Sequence, residues 1–342
     1  MRKIENSMTL IYNKYILREQ VNKMIVVGIP VYHSLKTLPT CLDSLVNQTK
    51  KNFSIIIIQD GDNENYYPII EEYEKRGLHI HLKNRKINGG PSQARQDILD
   101  DAKRMNIEYI TFVDSDDILQ PRAIEVLYDI IKSYNGDVAI GNIIRVGRNG
   151  KSETIFSNDM NYTWFGGKMY KVQYLIDINL NFPKELTWNE DSFFNLVAIG
   201  STNKNVIINE DLYIQRENSD SLTHTQNALK KSPHQYIHAQ AKAILEIIKN
   251  RKEIDLDTFF NALKNIYYTI GKIFYYDLDN WSWAPQVEDL QNCTIVQEIL
   301  KKEKRNFSNK MMFDGKEYEI PITFNEFINS FVKKRYSDGI YY

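Results

Sequence analysis

The stretch that decides the fold is Tyr109–Asp117, which reads YITFVDSDD. Its first five residues are rich in β-branched and aromatic types and predict a buried strand, and three carboxylates follow where that strand ends. Because buried carboxylates are costly and repel one another, such a cluster indicates a compensating cation. The oxygens of Asp114 and Asp116 suit Mg²⁺ or Mn²⁺, which in turn suits a diphosphate. The alternative is an acidic turn in which Asp117 caps the helix that begins after Pro121.

The composition limits the classes of protein to which the chain can belong. Its 342 residues suffice for one large domain or two, and 42% hydrophobic and 12% aromatic residues are typical of a globular fold. The net charge of −1 provides no global attraction to nucleic acid or anionic lipid. The two cysteines, Cys41 and Cys293, argue against a disulfide scaffold and indicate a reducing compartment. Since no transmembrane run or signal peptide is evident, we expect a cytoplasmic protein, at most peripheral to the inner face of the membrane.

Strand-like and helix-like segments alternate along the first half of the chain. The predicted strands are residues 24–29, 53–58, 79–82, 109–113 and 137–144, and the predicted helices are residues 35–48, 67–76, 92–105 and 123–134. This order predicts an α/β fold with a mostly parallel sheet and helices on both faces. Ligands of such sheets bind at the carboxyl ends of the strands, where the polar motifs of this chain lie.

We expect three segments: an N-terminal extension over residues 1–22, an α/β domain over 23–225 and a mostly helical region over 226–342. Within the second segment, Gly147–Lys151 predicts a hairpin turn, and Gly166-Gly167-Lys168 precedes a predicted helix. The best helix candidates of the third segment are Ala228–Ile247, Leu256–Tyr276 and Phe324–Val332. This helical region would select an acceptor or form a homo-oligomer.

Two strand ends carry groups that could bind a nucleoside. Pro30 and Tyr32 follow the first strand and could form a floor on which a base stacks. Asp60 follows the second strand and could accept a hydrogen bond from a base N–H or a ribose hydroxyl. An ordinary strand end and an acidic β-turn at Asp60-Gly61 are the alternatives.

The segment Asn88–Gln96 (NGGPSQARQ) combines paired glycines with a helix start. Gly89 and Gly90 allow the backbone to approach a ligand closely, and Ser92 could cap the helix. Arg95 would lie one turn inside the helix, within reach of a phosphate or a neighbouring carboxylate. The glycine spacing is not that of a dinucleotide fingerprint, and a simple loop-to-helix junction is the alternative.

Two later segments complete the set of candidate groups. Glu190 and Asp191 precede an apolar helical run, and Asp191 could act as a general base; N-capping by Asn189 is the alternative. Arg216 and His224 lie in a segment rich in hydroxyl groups that suits a diphosphate leaving group, and His224 could also ligate the metal. A plain surface loop is the other interpretation of that segment.

In their order along the chain, these residues resemble the family-2 glycosyltransferases of the GT-A fold. Pro30-Val31-Tyr32 looks like the family's Pro-x-Tyr-Asn start, with His33 in place of Asn. Asp60-Gly61-Asp62 corresponds to Asp-Asp-Gly-Ser, with Gln59 replacing the first acid and Asp62 the serine. The other matching segments are the helix Cys41–Thr49, the Asn88–Gln96 segment, the Asp-x-Asp run Asp114–Asp117 and the pair Glu190-Asp191. The resemblance covers residues 24–225 and is strongest in the first half.

The resemblance implies a GT-A-type twisted sheet and an inverting transfer of sugar from a nucleoside-diphosphate sugar to an acceptor hydroxyl, with Mn²⁺ or Mg²⁺ as the cofactor. Asp191, with Glu190 beside it, would supply the catalytic base. Asp116, Asp114 and His224 would bind the metal. The implied donor-binding residues are Pro30, Tyr32, Asp60, Gly89, Gly90, Arg95, Asp114, Ser115, Arg216 and His224.

UDP is the default nucleotide, although the departures at Gln59 and Asp62 leave the base open. We expect a glycan or surface polymer as the acceptor, with a protein or a modified DNA base as alternatives. A non-catalytic, sugar-nucleotide-binding protein of the same fold is a further alternative. A nucleotidyltransferase would need a glycine-rich loop after the first strand, and Gly28 alone cannot supply it.

Overall fold

A computed structural model describes residues 24–147, 150–157, 164–186, 189–217, 226–250, 256–275, 289–290, 292–303, 305, 307–313, 316–320 and 323–332. The chain divides into two compact units. The first lies within residues 1–161, 165–179 and 204–217, and the second within residues 162–164, 180–203 and 218–342. The expected N-terminal extension falls outside the described residues, and the expected boundary at residue 225 stays a prediction.

The first unit contains a mixed, mostly parallel sheet. Its strands are β1 (Ile25–Val31), β2 (Phe53–Asp60), β3 (Ile80–Arg85), β4 (Tyr109–Phe112), β5 (Ile118–Leu119), β6 (Val138–Val146), β7 (Ser152–Ile155), β8 (Lys168–Lys171) and β9 (Asn205–Arg216). Their order in the sheet is β3-β2-β1-β4-β8-β6-β9-β5, with β7 paired to β6. Strands β3, β2, β1 and β4 are parallel neighbours, and β6 is parallel to β9. The predicted α/β class and mostly parallel sheet are therefore confirmed.

Helices flank this sheet, as expected. They are α1 (Leu38–Val46), α2 (Tyr67–Lys75), α3 (Gly90–Arg104), α4 (Ala123–Ser133) and α5 (Val172–Asp177). Helix α2 ends at Lys75, and Gly77 follows with a φ of 94°, the left-handed conformation that glycine tolerates. Gly28 in β1 allows α3 to pack closely, because a Cβ there would lie 2.5 Å from Ile98 Cγ2 and 3.2 Å from Phe112 Cδ1.

The central strands are recognisable in the sequence because they are apolar throughout. Every residue of β2 is buried, and β4 is likewise buried along its length. Such continuous burial is typical of parallel strands covered on both faces. The register pairs Val31 of β1 with Gln59 of β2, so that both strands end at the same edge of the sheet. That edge carries the candidate site residues.

Strands β5, β7, β8 and β9 are not among the strands predicted from the sequence. A strand, β8, lies between the Gly166-Gly167 turn and the helix that was predicted to follow it, and it pairs antiparallel with both β4 and β6. Its four residues include two lysines, which hide a buried strand from a hydrophobicity pattern. Strand β9 was not predicted, and register shifts near Asn142 interrupt its pairing with β6. The hairpin predicted at Gly147–Lys151 is confirmed by the Gly147 N–H, which donates to the Lys151 carbonyl.

The second unit is mostly helical in its described part. Its elements are α6 (Glu190–Gly200), α7 (Gln226–Asn250), α8 (Leu256–Tyr275), α9 (Thr294–Lys302), the strands β10 (Lys310–Phe313) and β11 (Lys316–Glu319), and α10 (Phe324–Val332). Helix α7 packs against α6 and α8. The three predicted helices are confirmed, whereas the β10–β11 hairpin was not expected. Among the described residues, no helix has both the length and the hydropathy that crossing a membrane requires.

Candidate functional site

The ends of β1 and β2 present an aromatic ring and a buried acid. Tyr32 directly follows β1 and its side chain is 45% exposed, while Pro30 lies in register with Ile58 of β2. The Tyr32 and His33 rings are in edge contact, with centroids 4.2 Å apart. Tyr32 is therefore an exposed aromatic ring at a strand end, as a base-stacking surface requires.

Asp60, at the end of β2, has one carboxylate oxygen that is engaged by a backbone hydrogen bond and by an ion pair. The N–H of Gly89 donates to its Oδ1 at 2.9 Å, and Arg85 Nε lies 2.9 Å from the same atom. Arg85 also pairs with Asp97 and donates to the Gln93 carbonyl at 3.4 Å. Asp60, itself 4% exposed, is thus tied to the glycine loop and to helix α3.

Sequence reasoning missed Arg85. The predicted third strand stopped at residue 82, so the sequence did not place Arg85, which ends β3 opposite Asp60, at this edge.

The paired glycines are needed where they stand. A Cβ at Gly89 would lie 2.7 Å from Arg85 Nη2 and 2.8 Å from Gln93 Cβ, and Gly90 has a φ of 76°. Helix α3 begins at Gly90, with Gly89 at the N-cap position and no side-chain cap. The expected capping by Ser92 is therefore wrong; Ser92 lies inside the helix and is buried. The side chain of Asn88 instead accepts the Gly90 N–H at 3.1 Å.

Arg95 joins the glycine turn to the acidic turn. It lies on α3 with 6% of its surface exposed, and its Nη2 donates to Asp114 Oδ1 at 2.6 Å. Its guanidinium carbon lies 4.8 Å from the centre of the Phe165 ring. The expectation that Arg95 reaches a neighbouring carboxylate is confirmed.

The acidic turn is bonded to two other segments. Ser115 Oγ and Ser34 Oγ are 2.8 Å apart, which connects this turn to the loop after β1. Arg216, at the end of β9, donates through Nε to the Asp116 carbonyl at 2.6 Å. The structure thus brings the predicted residues Asp114, Ser115 and Asp116 together with Arg216; His224 lies outside the described residues.

Asp117 is the buried member of the turn. Its carboxylate accepts from the Tyr213 hydroxyl at 2.7 Å and from the Arg216 N–H at 2.8 Å. Burial raises its pKa well above the usual range, with the negative charges of Asp114 and Asp116 adding to the effect. The alternative that Asp117 caps the next helix is wrong, because α4 begins at Ala123 without a side-chain cap.

The donor set at the acidic turn fits a hard divalent cation. Asp114 and Asp116 offer carboxylate oxygens at the end of a strand, and the Asp114 side chain is 41% exposed. Mg²⁺ and Mn²⁺ are commonly held by one or two carboxylates, with substrate phosphates and water completing the shell. One Asp114 oxygen is already engaged by Arg95, which leaves its second oxygen and the Asp116 carboxylate as the candidate ligands of this turn.

A second group could in principle hold a metal. Ligand atoms of His33, Asp62 and Glu64 lie within 4.8 Å of one another. However, both Asp62 oxygens already accept hydrogen bonds. Their donors are the backbone N–H groups of His33 and Glu64, the Gln59 amide and the Tyr66 hydroxyl. Asp62 therefore connects the loop after β1 to the loop after β2. Gln59 and Asp62, the two residues that depart from the family's pattern, are hydrogen-bonded to each other.

Glu190 and Asp191 begin helix α6 in the second unit. Glu190 is 5% exposed, and Asp191 Oδ1 accepts the Ser192 N–H at 2.7 Å. Asn189 occupies the N-cap position with a φ of 61° but makes no side-chain cap, so capping by its side chain is not the explanation of this motif. Burial raises the pKa of Tyr236 on α7, and the charge of Asp191 contributes to this shift. Asp191 thus lies at a rigid helix start, with a buried phenol within its electrostatic reach.

The arrangement in the first unit agrees with a known family. The sequence model described as Glycosyl transferase family 2 matches residues 26–186. This segment of the chain belongs to glycosyl transferase family 2. Over 187 residues, the chain is 30% identical to a poly(ribitol-phosphate) beta-glucosyltransferase of Bacillus spizizenii, covering 51% of this chain and 29% of that protein. It is 28% identical over 254 residues to the poly(ribitol-phosphate) beta-N-acetylglucosaminyltransferase TarP of Staphylococcus aureus, covering 68% of this chain and 76% of TarP.

Solved structures of this family share the fold. Residues 1–349 of S. aureus TarS in complex with UDP superpose with a TM-score of 0.60 at 19% identity, covering 86% of this chain and 96% of that one. A mannosyltransferase of Pyrobaculum calidifontis in complex with GDP-Man and Mn²⁺ gives a TM-score of 0.51 at 12% identity, with 80% of each chain covered. These similarities establish the GT-A-type fold, as predicted. The chain spans 29% and 40% of the length of the first two curated relatives it matches.

Proposed function

We propose that this protein is an inverting, metal-dependent glycosyltransferase that moves a sugar from a UDP-sugar to a hydroxyl of a surface polymer. The observation that carries this proposal is the Arg95–Asp114 ion pair, which is 2.6 Å long and joins a buried arginine to a partly exposed carboxylate. It ties the glycine turn at the start of α3 to the acidic turn after β4. It therefore holds the two turns together at one edge of the sheet, where the diphosphate and the cation would bind.

The nucleoside would bind at the ends of β1 and β2. Tyr32 offers a stacking face, and the carboxylate of Asp60 offers an acceptor whose position is set by Arg85 and Gly89. A carboxylate acceptor favours a base with an imino N–H, such as uracil, over cytosine, whose N3 is itself an acceptor. This chemistry supports UDP as the donor nucleotide.

Asp116 and Asp114 would hold Mg²⁺ or Mn²⁺, which when bound acts as a Lewis acid on the departing diphosphate. Arg216 is fixed beside Asp116 by its Nε hydrogen bond and adds a positive charge near the same position. These residues would orient the diphosphate and neutralise its charge, so that it leaves in line with the incoming hydroxyl.

Asp191 would act as the general base. It would take the proton of the acceptor hydroxyl while that oxygen bonds to the anomeric carbon and the bond to the diphosphate breaks, which inverts the configuration. The hydrogen bond from the Ser192 N–H and the helix N-terminus hold this carboxylate in place. The polymer acceptor is supported by the relatives, three of which are named as acting on poly(ribitol phosphate).

The test is a donor screen with the full chain. UDP-glucose, UDP-GlcNAc, UDP-galactose and GDP-mannose are each incubated with poly(ribitol phosphate), with Mn²⁺ or with EDTA, and nucleotide release and labelled polymer are measured. We expect Mn²⁺-dependent transfer from one UDP-sugar, lost in Asp116→Asn and kept in the exposed control Asp129→Asn. Transfer that is equally fast in EDTA would contradict the metal requirement. Absence of both hydrolysis and transfer with every donor would contradict the proposed activity.

A further inference from the structure

The hydroxyl of Tyr213 lies beneath the acidic turn and serves two partners at once. It accepts the Asp114 N–H at 3.2 Å and donates to Asp117 Oδ2 at 2.7 Å. Tyr213 is 3% exposed and Asp117 is also 3% exposed, so water cannot readily replace either bond. A phenol is one of the few side-chain groups that can donate and accept from a single atom.

The position of the Tyr213 ring is also fixed by its surroundings. A Cβ at Gly166 would lie 2.6 to 2.9 Å from three atoms of this ring, so the absence of a side chain at Gly166 makes room for the ring. Strand β9, which carries Tyr213, pairs with β5 directly after the acidic turn, with Leu119 opposite Tyr213. The hydroxyl position is therefore set by the sheet.

The neighbouring contacts extend this connection to the end of β9. Asp117 Oδ1 accepts the Arg216 N–H at 2.8 Å, and the Asp117 N–H donates to the Asp114 carbonyl at 3.0 Å. Arg216 in turn donates from Nε to the Asp116 carbonyl. The Asp114 N–H and the Asp116 carbonyl are thus bonded to side chains of β9, and the Asp114 carbonyl is bonded within the turn.

We propose that Tyr213 is a positioning residue, which with Asp117 fixes the backbone of the acidic turn so that Asp114 and Asp116 meet the divalent ion and the diphosphate. This role rests on the proposed function. Three carboxylates within four residues repel one another, and a free turn would relax to separate them. The shared hydroxyl opposes that relaxation, because moving the turn away would leave the Asp114 N–H without its acceptor and the buried Asp117 carboxylate without its donor.

The test compares Tyr213→Phe with Tyr73→Phe in the full chain. The Tyr73 hydroxyl is a matched control, since it bonds the Pro39 carbonyl at 2.7 Å and Asp43 Oδ1 at 2.9 Å at another place in the fold. UDP binding is measured by calorimetry over a series of Mn²⁺ concentrations and in EDTA, and the fold is checked by circular dichroism. We expect Tyr213→Phe to weaken Mn²⁺-dependent UDP binding by about 10- to 100-fold, the usual effect of losing an outer-shell partner, without changing binding in EDTA. Tyr73→Phe should match the wild type.

If Tyr213→Phe does not fold, the same binding measurement is made with Asp117→Asn. Asp117→Asn keeps the size and one acceptor oxygen, so we expect a smaller loss of Mn²⁺-dependent binding in the same direction. If folded Tyr213→Phe binds UDP with the same Mn²⁺ dependence as the wild type, the positioning role is overturned and the proposed function is not. The same conclusion applies to Asp117→Asn if Tyr213→Phe is unfolded. An equal loss in Tyr73→Phe would overturn it too. If the wild type binds no UDP with or without Mn²⁺, the proposed function fails and this role fails with it.

Discussion

Arg85 Nε lies 2.9 Å from Asp60 Oδ1, the same oxygen that accepts the Gly89 N–H. The two side chains are 22% and 5% exposed, so this ion pair is largely shielded from solvent. Since the Gly89 hydrogen bond and the Arg85 ion pair act on one oxygen, the carboxylate has a defined orientation before any ligand arrives. This preorganisation is what a base-recognition group needs, because a freely rotating carboxylate would lose entropy on binding.

We predict that Arg85→Gln weakens UDP binding by about tenfold, which corresponds to ~1.4 kcal/mol. The loss would come from the released Asp60 carboxylate, and it should therefore be the same in Mn²⁺ and in EDTA. Calorimetric titration with UDP measures it. Arg76→Gln is the control, because Arg76 pairs with Asp43 at 2.7 Å at a more exposed position. Unchanged UDP affinity in Arg85→Gln would show that Asp60 does not depend on this pair.

The sequence predicted the core strands because their signal is local. Strands β1, β2 and β4 are continuous apolar runs, and polar residues mark where each of them ends. The acid at position 60 and the acids at 114 and 116 could therefore be assigned to one edge of the sheet. The apolar pattern could not reveal β8, because Lys168 is buried there although lysine is usually found at the surface.

The contacts that hold the site could not be predicted in this way. Tyr213 is 99 residues from Asp114 in the chain, and its place depends on β9 pairing with β5. Its sequence context, a tyrosine in an alternating strand, is also that of an ordinary core residue. Arg85 is 25 positions from Asp60, and its pairing follows from strand order. Contacts of this kind depend on the tertiary fold and cannot be predicted from the pattern of a single sequence.

We predict that Gln48→Leu destabilises the fold by about 2 kcal/mol, since buried polar groups would lose their partners. Gln48, which is 1% exposed, donates from Nε2 to the Gln120 carbonyl at 2.8 Å and accepts the Ile124 N–H at 3.1 Å. These bonds join helix α1 to the start of α4. Urea unfolding monitored by circular dichroism measures the change. Gln173→Leu, at an exposed site on α5, should change stability by less than about 0.5 kcal/mol, and a similar loss in both variants would refute the bridging role.

We predict that the stability contributed by Asp62 is lost in acid. Partial burial acts to raise its pKa, but hydrogen bonds from the His33 N–H, the Gln59 amide and other donors outweigh burial and lower the pKa below its usual 3.8. Because the folded-state pKa lies below the unfolded one, Asp62 stabilises the fold above the unfolded value, and this is lost as the pH falls through the folded value. The difference in unfolding free energy between wild type and Asp62→Asn should be constant from pH 7 to about pH 5 and shrink below about pH 4. A difference that stays constant down to pH 3 would contradict this linkage.

We predict that Asp191→Asn separates donor binding from transfer. Asparagine keeps the size of the side chain and an oxygen that can accept the Ser192 N–H, but it cannot take a proton from the acceptor hydroxyl. The turnover number should therefore fall by about 10³-fold, within the range usual for a lost general base, while the Kd for the UDP-sugar changes by less than about twofold. Turnover is measured by UDP release and the Kd by calorimetry. Glu185→Gln, which alters an ion pair with Lys242 in the same unit, is the control and should retain both. An equal loss of binding and turnover in Asp191→Asn would mean that Asp191 holds the donor or the fold, and the base would have to be sought elsewhere.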